Sequence, residues 1–210
     1  MARAAFRSRF MPFAERTNWR RVWSWWRPRA ARRAAREWAL DLVRSGGWVV
    51  LDTETTGLGR DGEVVQVAVV HPSGLALFDA CVHPTGPVPA AAAAVHGLTD
   101  DLLELAAPYA AVHHALAALL TGRRVVCFNA AFDARLLEQT AARHGLPPID
   151  AQWDCAMLAY ASYRGEWSDE RGDFRWPRLP GAAHGAVPDC RATLDLIRQM
   201  AVPTPWWRFW

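Results

Sequence analysis

Two acidic residues stand two positions apart directly after a short apolar run. Asp52 and Glu54 follow residues 48–51, which have the composition of a buried strand. In extended backbone, residues i and i+2 point to the same face, so the two carboxylates lie side by side. Such a pair repels unless a cation lies between the two groups, although solvated acids at a polar strand end have the same pattern. The Thr-Thr-Gly turn at 55–57 adds hydroxyl and backbone N–H groups that suit a phosphate and a sugar.

Two further segments carry acidic residues near predicted helix starts. Asn129 and Asp133 follow one strand, where Asn129 could be a helix N-cap and Asp133 could serve the helix dipole. His184 and Asp189 stand five residues apart around the start of the last predicted helix. Asp189 could be an ordinary first-turn acid and His184 an ordinary loop histidine. Taken singly, neither segment distinguishes catalysis from structure.

The elements that must position these residues follow an α/β order, with three antiparallel strands first and strand–helix units afterwards. The predicted strands cover residues 48–51, 63–71, 75–83, 124–128 and 151–154. The predicted helices cover residues 29–44, 109–120, 130–144, about 155–163 and about 187–200. The acidic residues therefore fall at strand ends and helix starts, where open α/β sheets commonly place their sites.

Charge is distributed unevenly along the 210 residues. Residues 1–45 hold twelve Arg and three acids, a net charge of +9, whereas residues 46–210 hold twelve Arg and eighteen acids, a net charge of −6. This asymmetry favours a polyanion as partner. The aromatic and Arg-rich residues 1–28 are equally compatible with a nucleic-acid arm, a membrane-surface segment or disorder. In helix 29–44, we expect Trp38 and Leu42 to pack onto the rest of the protein.

Composition also excludes several classes of protein. The four cysteines form neither a CxxC pair nor a Cys/His zinc pattern, which favours a reducing compartment and a cytoplasmic location. No apolar stretch reaches the ~18–20 residues that a membrane span needs. The sequence contains no GxxxxGK[ST] loop, which disfavours an unrelated nucleotide-binding protein or phosphohydrolase.

Together, the acidic segments resemble the DnaQ-like exonucleases, the family of the proofreading subunit of bacterial replicative polymerase, in its branch with a catalytic histidine. The family motifs D-x-E-T-T-G, H-G-[IL]-T, N-x-x-F-D and H-x-x-x-x-D are matched at 52–57, 96–99, 129–133 and 184–189. The resemblance covers roughly residues 47–201, with an N-terminal extension at 1–46 and a short aromatic tail at 202–210. It implies a ribonuclease H-like fold, with a mixed five-stranded sheet of three antiparallel and then parallel strands, flanked by helices.

The resemblance also implies the chemistry, a 3′→5′ exonuclease that releases nucleoside 5′-monophosphates. Two divalent cations, Mg²⁺ or Mn²⁺, are expected on four carboxylates, with a histidine as general base; these catalytic residues are Asp52, Glu54, Asp133, Asp189 and His184. A site of oxygen ligands suits these ions better than zinc. The residues expected to hold the terminal nucleotide are Thr55, Thr56, Gly57, Leu58, His96, Asn129 and Phe132. Ordinary core packing is the alternative role for Leu58 and Phe132.

Several questions stay open at the level of the sequence. The expected partner is single-stranded nucleic acid or a 3′ end, with DNA favoured and RNA trimming as the alternative. A catalytically inactive binding module on the same fold is a further alternative. Pro188 stands just before Asp189, and residues 164–183 differ from the helix common before the third motif. About ten residues follow the last predicted helix, so we do not expect the stable polymerase complex of the proofreading subunit.

Overall fold

The computed structural model describes residues 27–202, whose central element is a six-stranded mixed sheet. Its strands are β1 (Trp48–Thr55), β2 (Val64–Val70), β3 (Ala76–His83), β4 (Ala107–Pro108), β5 (Arg124–Cys127) and β6 (Gln152–Cys155). They run in the order β4-β3-β2-β1-β5-β6. Strand β2 is antiparallel to both β1 and β3, whereas β1, β5 and β6 are parallel neighbours. The predicted change from antiparallel to parallel pairing is thus confirmed, and it occurs at β1.

Two features of the β-structure differ from the prediction. The sixth strand, β4, pairs in parallel with β3 at the edge of the sheet, where a proline such as Pro108 is tolerated. The predicted loop 164–183 contains a small antiparallel hairpin formed by β7 (Trp167–Ser168) and β8 (Asp173–Phe174). Each of these strands has two residues, too few to show an alternating pattern in a sequence.

Helices cover both faces of the sheet. They are α1 (Arg27–Arg44), α2 (Ala90–His96), α3 (Asp100–Leu103), α4 (Tyr109–Leu120), α5 (Ala130–Arg143), α6 (Ala156–Arg164) and α7 (Ala186–Ala201). Val49 of β1 packs in one core with Leu136 of α5, whereas its neighbour Val50 packs in a second core with Ile197 of α7. Alternate residues of the strand therefore pack against helices on opposite faces of the sheet. Among residues 27–202, no helix combines the length and apolar character that a bilayer span requires.

Helix α1 packs against α6 and α7, the helices on one side of the sheet. Leu42 is fully buried, and its carbonyl oxygen accepts a hydrogen bond from the Trp48 indole at 2.7 Å. Trp38 donates its indole N–H to Asp154 of β6 at 3.1 Å, and Arg124 of β5 donates to the same carboxylate at 2.6 Å. The two predicted packing residues thus both contact the core or its edge. Residues 1–26 and 203–210, which include most of the predicted arm and tail, lie outside the described residues.

Candidate active site

The site is built on the end of β1, where Asp52 and Glu54 project from the same face. The pairing register with β2 shifts between Glu54 and Thr55, so the regular ladder ends at the acidic pair. Bulges of this kind often lie beside functional sites, because they redirect side chains at a sheet end. Both carboxylates are partly buried. The strand thus supplies two of the predicted acidic residues from one short segment.

Asp189 approaches this pair from the first turn of α7. Carboxylate oxygens of Asp52, Glu54 and Asp189 all lie within 4.8 Å of one another. One oxygen of Asp189 accepts a hydrogen bond from the backbone N–H of Ala183 at 2.7 Å, and only 7% of the residue is exposed. Pro188 precedes it without breaking α7, because the first N–H groups of a helix have no intrahelical acceptor.

Asp133, the fourth predicted carboxylate, lies in the first turn of α5 and is 3% exposed. Its Oδ1 accepts a hydrogen bond from the Thr53 hydroxyl at 2.8 Å, which orients the carboxylate. Asp133 lies outside the group of three oxygens, yet its negative charge contributes to the raised pKa values of Asp52 and Glu54. Thr53 was not predictable as a site residue from the sequence, because a threonine inside a strand is more often a packing residue.

Burial and mutual repulsion raise the pKa values of these acids. Loss of solvation raises the pKa of Glu54 to about 7, with further contributions from the charges of Asp189 and Asp133. The pKa of Asp52 is raised well above its usual range, first by burial and then by Asp133, Glu54 and Asp189. Burial also raises the pKa of Asp133 to about 7, against the opposing effect of the Thr53 hydrogen bond.

This electrostatic environment fits a divalent cation. Closely spaced, poorly solvated carboxylates are destabilised as anions, and a bound cation relieves both the repulsion and the lost solvation. Oxygen ligands of this kind match the preferences of Mg²⁺ and Mn²⁺. The residues present therefore fit the metal that the sequence predicted.

His184 lies in the loop that leads into α7, and its side chain is exposed. Its backbone φ is +54°, and among residues 27–202 no other residue apart from glycine has a positive φ. This conformation is uncommon for a residue with a Cβ atom. The loop also provides the Ala183 N–H that binds Asp189, so the histidine and the carboxylate share one segment of backbone.

The turn after the acidic pair uses both of its threonine hydroxyls internally. Thr55 Oγ1 donates to the carbonyl of Gly57 at 3.1 Å, and Thr56 Oγ1 accepts from the backbone N–H of Glu63 at 2.9 Å. The Thr56 N–H also donates to the Glu63 carbonyl at 2.9 Å. Leu58, which follows this turn, is 78% exposed and so is not a core residue.

The remaining predicted substrate residues lie on elements next to this turn. His96 Nδ1 accepts from the Leu98 N–H at 3.0 Å, so Nε2 carries the proton that it donates to the Thr55 carbonyl at 3.3 Å. Asn129 occupies the N-cap position of α5, but its side chain makes no capping hydrogen bond. Phe132 is half-buried, and the Arg135 guanidinium lies 5.4 Å from the centre of its ring. Arg135 belongs to none of the sequence motifs and was not predicted as a site residue.

Comparison with known proteins agrees with this geometry. A family model described as "Exonuclease" matches residues 49–197. The uncharacterized exonuclease CP81 of Escherichia phage 186 is 37% identical over 170 residues, which cover 73% of this chain and 87% of the phage protein. The DNA polymerase III subunit epsilon-like protein of Rhodobacter capsulatus is 39% identical over 99 residues, which cover 44% of this chain but only 14% of that protein.

Solved structures show the same fold. Exonuclease X, in complex with 5′ overhanging duplex DNA, aligns with a TM-score of 0.52 and 25% identity over 73% of this chain and 90% of its own. Exonuclease I in its apo form aligns with a TM-score of 0.59 and 16% identity, over 73% of this chain and 41% of its own, and this likeness shows the fold alone. With the matched family model and the phage relative, these findings show that the chain belongs to the DnaQ-like exonuclease family.

Proposed function

We propose that the protein is a metal-dependent 3′→5′ exonuclease that acts on DNA and releases nucleoside 5′-monophosphates. The observation that carries this proposal is the group of three carboxylates within 4.8 Å at the end of β1, in a chain of an exonuclease family. Hydrolysis of a phosphodiester requires that negative charge be stabilised on both the attacking and the leaving oxygen. Carboxylates are themselves negatively charged, so a site that concentrates them can stabilise this charge only with bound cations.

Four carboxylates would hold two divalent cations, Mg²⁺ or Mn²⁺: Asp52, Glu54, Asp133 and Asp189. Asp52 is the proposed shared ligand, since the other three carboxylates all contribute to its raised pKa. When bound, a pair of such ions supplies an activated water and stabilises the charge on the leaving 3′ oxygen. Thr53 keeps Asp133 oriented, and the Ala183 N–H does the same for Asp189.

His184 is the proposed general base. Its exposed imidazole lies five residues before Asp189, on the loop whose backbone binds that carboxylate. The histidine takes a proton from the attacking water and passes it to solvent. Its backbone has a positive φ, and such uncommon conformations of residues with a Cβ atom cluster at functional sites.

The terminal nucleotide is proposed to bind beside the turn 55–58. The Thr56 hydroxyl already accepts a hydrogen bond from the Glu63 backbone N–H. The Thr55–Gly57 segment would therefore bind the nucleotide through its backbone groups and the shape of the turn. Leu58 and Phe132 would contact the base, and His96 and Asn129 would line the same pocket. The exposure of Leu58 supports a contact with substrate, because a leucine that is 78% exposed contributes little to the core.

DNA is the proposed substrate because Exonuclease X, at 25% identity, is bound to duplex DNA with a 5′ overhang. The test is a time course on 5′-labelled single-stranded DNA and RNA of the same sequence, with Mg²⁺, Mn²⁺ or EDTA. A ladder that shortens from the 3′ end, is abolished by EDTA and forms faster on DNA supports the proposal. Faster RNA shortening favours the trimming alternative, and binding without cleavage favours the inactive module.

A further inference from the structure

The loop between β1 and β2 closes tightly on itself. A Cβ atom at Gly62 would lie 2.2 Å from the carbonyl oxygen of Gly57, so only glycine fits at this position. Gly62 also donates its backbone N–H to the Gly59 carbonyl at 3.3 Å. Leu58 lies in this loop with its side chain directed to solvent. The loop thus presents one apolar side chain on a compact but glycine-rich frame.

Two side chains of α5 bind the carbonyl groups of this loop. Arg135 donates to the carbonyl of Leu58 at 3.1 Å and to that of Gly59 at 3.4 Å. Gln139, one turn later, donates to the carbonyls of Gly59, at 3.1 Å, and Gly62. Arg135 also donates to the Gln139 side-chain oxygen at 2.9 Å, so the two side chains form one connected group. Helix α5 therefore holds the loop at several points.

The same guanidinium lies over the ring of Phe132, 5.4 Å from its centre. Arg135 therefore contacts both apolar groups assigned to the terminal base: it binds the Leu58 backbone and covers one face of Phe132. A cation–π contact of this kind helps to hold an aromatic ring in place, and Phe132 is also packed against the core that contains Leu136 and Leu137 of the same helix. A base between Leu58 and Phe132 meets groups whose separation is set in advance, which lowers the entropy cost of binding.

We infer that Arg135 is a positioning residue that sets the separation of Leu58 and Phe132 around the 3′-terminal base, with Gln139 holding the same loop independently of Phe132. This inference rests on the proposed function, because it assigns the base of the terminal nucleotide to that pocket. It gives Arg135 no contact with the reacting atoms. Its loss therefore weakens recognition of the terminal base more than it slows hydrolysis.

The test compares Arg135→Ala, Gln139→Ala and the wild type on two single-stranded substrates that differ only at the 3′ end. One ends in a normal nucleotide and the other in an abasic nucleotide, which has nothing to place between Leu58 and Phe132. For Arg135→Ala we expect KM on the normal end to rise about tenfold, with kcat changing less than about twofold. On the abasic end its KM should match that of the wild type. Gln139→Ala, which keeps the guanidinium over Phe132, should show a smaller rise.

A second measurement reports on the loop without catalysis. The Arg60–Asp61 bond lies in the loop and is a site for trypsin, so its cleavage rate measures how often the loop opens. Arg135→Ala should increase this rate while the thermal midpoint of the whole protein changes little. If KM of Arg135→Ala rises equally on both 3′ ends, or rises on neither, the inference is overturned. The proposed function still stands in that case, provided that the wild type is active. A wild type that cleaves neither substrate overturns both.

Discussion

At the scale of single residues, the acidic site is a place where folding opposes ionisation. Asp52, Glu54 and Asp133 all have raised pKa values, and in each case burial is the largest cause. A structural ion pair instead brings its own cation to the buried carboxylate. Glu63 is such a case, because the Arg143 guanidinium lies 2.8 Å from its buried carboxylate. The contrast distinguishes a site that needs a cation from a structural contact that already contains one.

Replacing Asp189 with Asn should remove hydrolysis while preserving the fold. The amide keeps the shape and can still accept the Ala183 hydrogen bond, but it loses the charge that binds a cation. We expect a rate at least about a thousandfold lower in the presence of Mg²⁺, equivalent to ~4 kcal/mol of transition-state stabilisation. Asp52→Asn should behave in the same way. Release of labelled 5′-monophosphate measures the rate.

The matched control is Asp195→Asn, the same change on the same helix. The Asp195 side chain is 72% exposed and pairs with Arg198 on the surface, so its loss should alter the rate less than about twofold. Full activity in Asp52→Asn or Asp189→Asn would contradict the assignment of these residues as metal ligands.

Two substitutions of His184 separate its catalytic role from the effect of its backbone conformation on stability. Both His184→Ala and His184→Gly should slow hydrolysis by a factor of about 10²–10⁴, because each removes the general base. Since φ at this position is +54°, the Ala variant should be less stable than the Gly variant by about 1 kcal/mol. Kinetics and urea unfolding measure the two effects. An unchanged rate in both variants would remove His184 from the mechanism.

At the scale of elements, α1 is part of the core although the predicted family resemblance begins after it. Leu42 is fully buried in the core that α1 shares with α6 and α7, whereas the next residue, Val43, is 51% exposed. Leu42→Ala should lower the free energy of unfolding by about 2–5 kcal/mol, as is usual for a buried leucine. Val43→Ala, the adjacent control, should change it by less than about 0.5 kcal/mol. Equal effects of the two changes on urea unfolding would show that α1 does not pack as described.

Elements with a strong periodic pattern were predictable from the sequence. The apolar run of β1 and the positions of Asp52 and Glu54 predicted both a buried strand and a carboxylate pair, and the structure contains both. Strand β4 and the hairpin of β7 and β8 were not predictable, since two-residue strands depend on contacts distant in sequence. The contact between Arg135 and the loop 57–62 was missed for the same reason, because it joins segments more than seventy residues apart.

At the scale of the whole molecule, the site should make stability depend on pH and metal together. The pKa of Glu54 is raised from 4.5 to about 7 in the folded protein, so the folded state binds this proton more tightly than the unfolded chain. Its contribution to stability is fully present below about pH 4.5 and is lost as the pH rises through about 7. In EDTA, the wild type should therefore lose stability relative to Glu54→Gln across this range, because the glutamine cannot ionise.

A bound cation should reverse this loss, and it should do so only where the carboxylates are ionised. At pH 8, excess Mg²⁺ should raise the thermal midpoint of the wild type, by about 2–4 °C for each kcal/mol of binding free energy. At pH 5 the rise should be much smaller, since protons then compete for the same oxygens. Glu54→Gln should show a reduced rise at pH 8, whereas Asp195→Asn should match the wild type at both values. Differential scanning calorimetry at the two pH values, with Mg²⁺ or EDTA, measures each of these shifts in the thermal midpoint. An equal effect of Mg²⁺ at pH 5 and pH 8 would show that the ion binds outside the group of Asp52, Glu54 and Asp189.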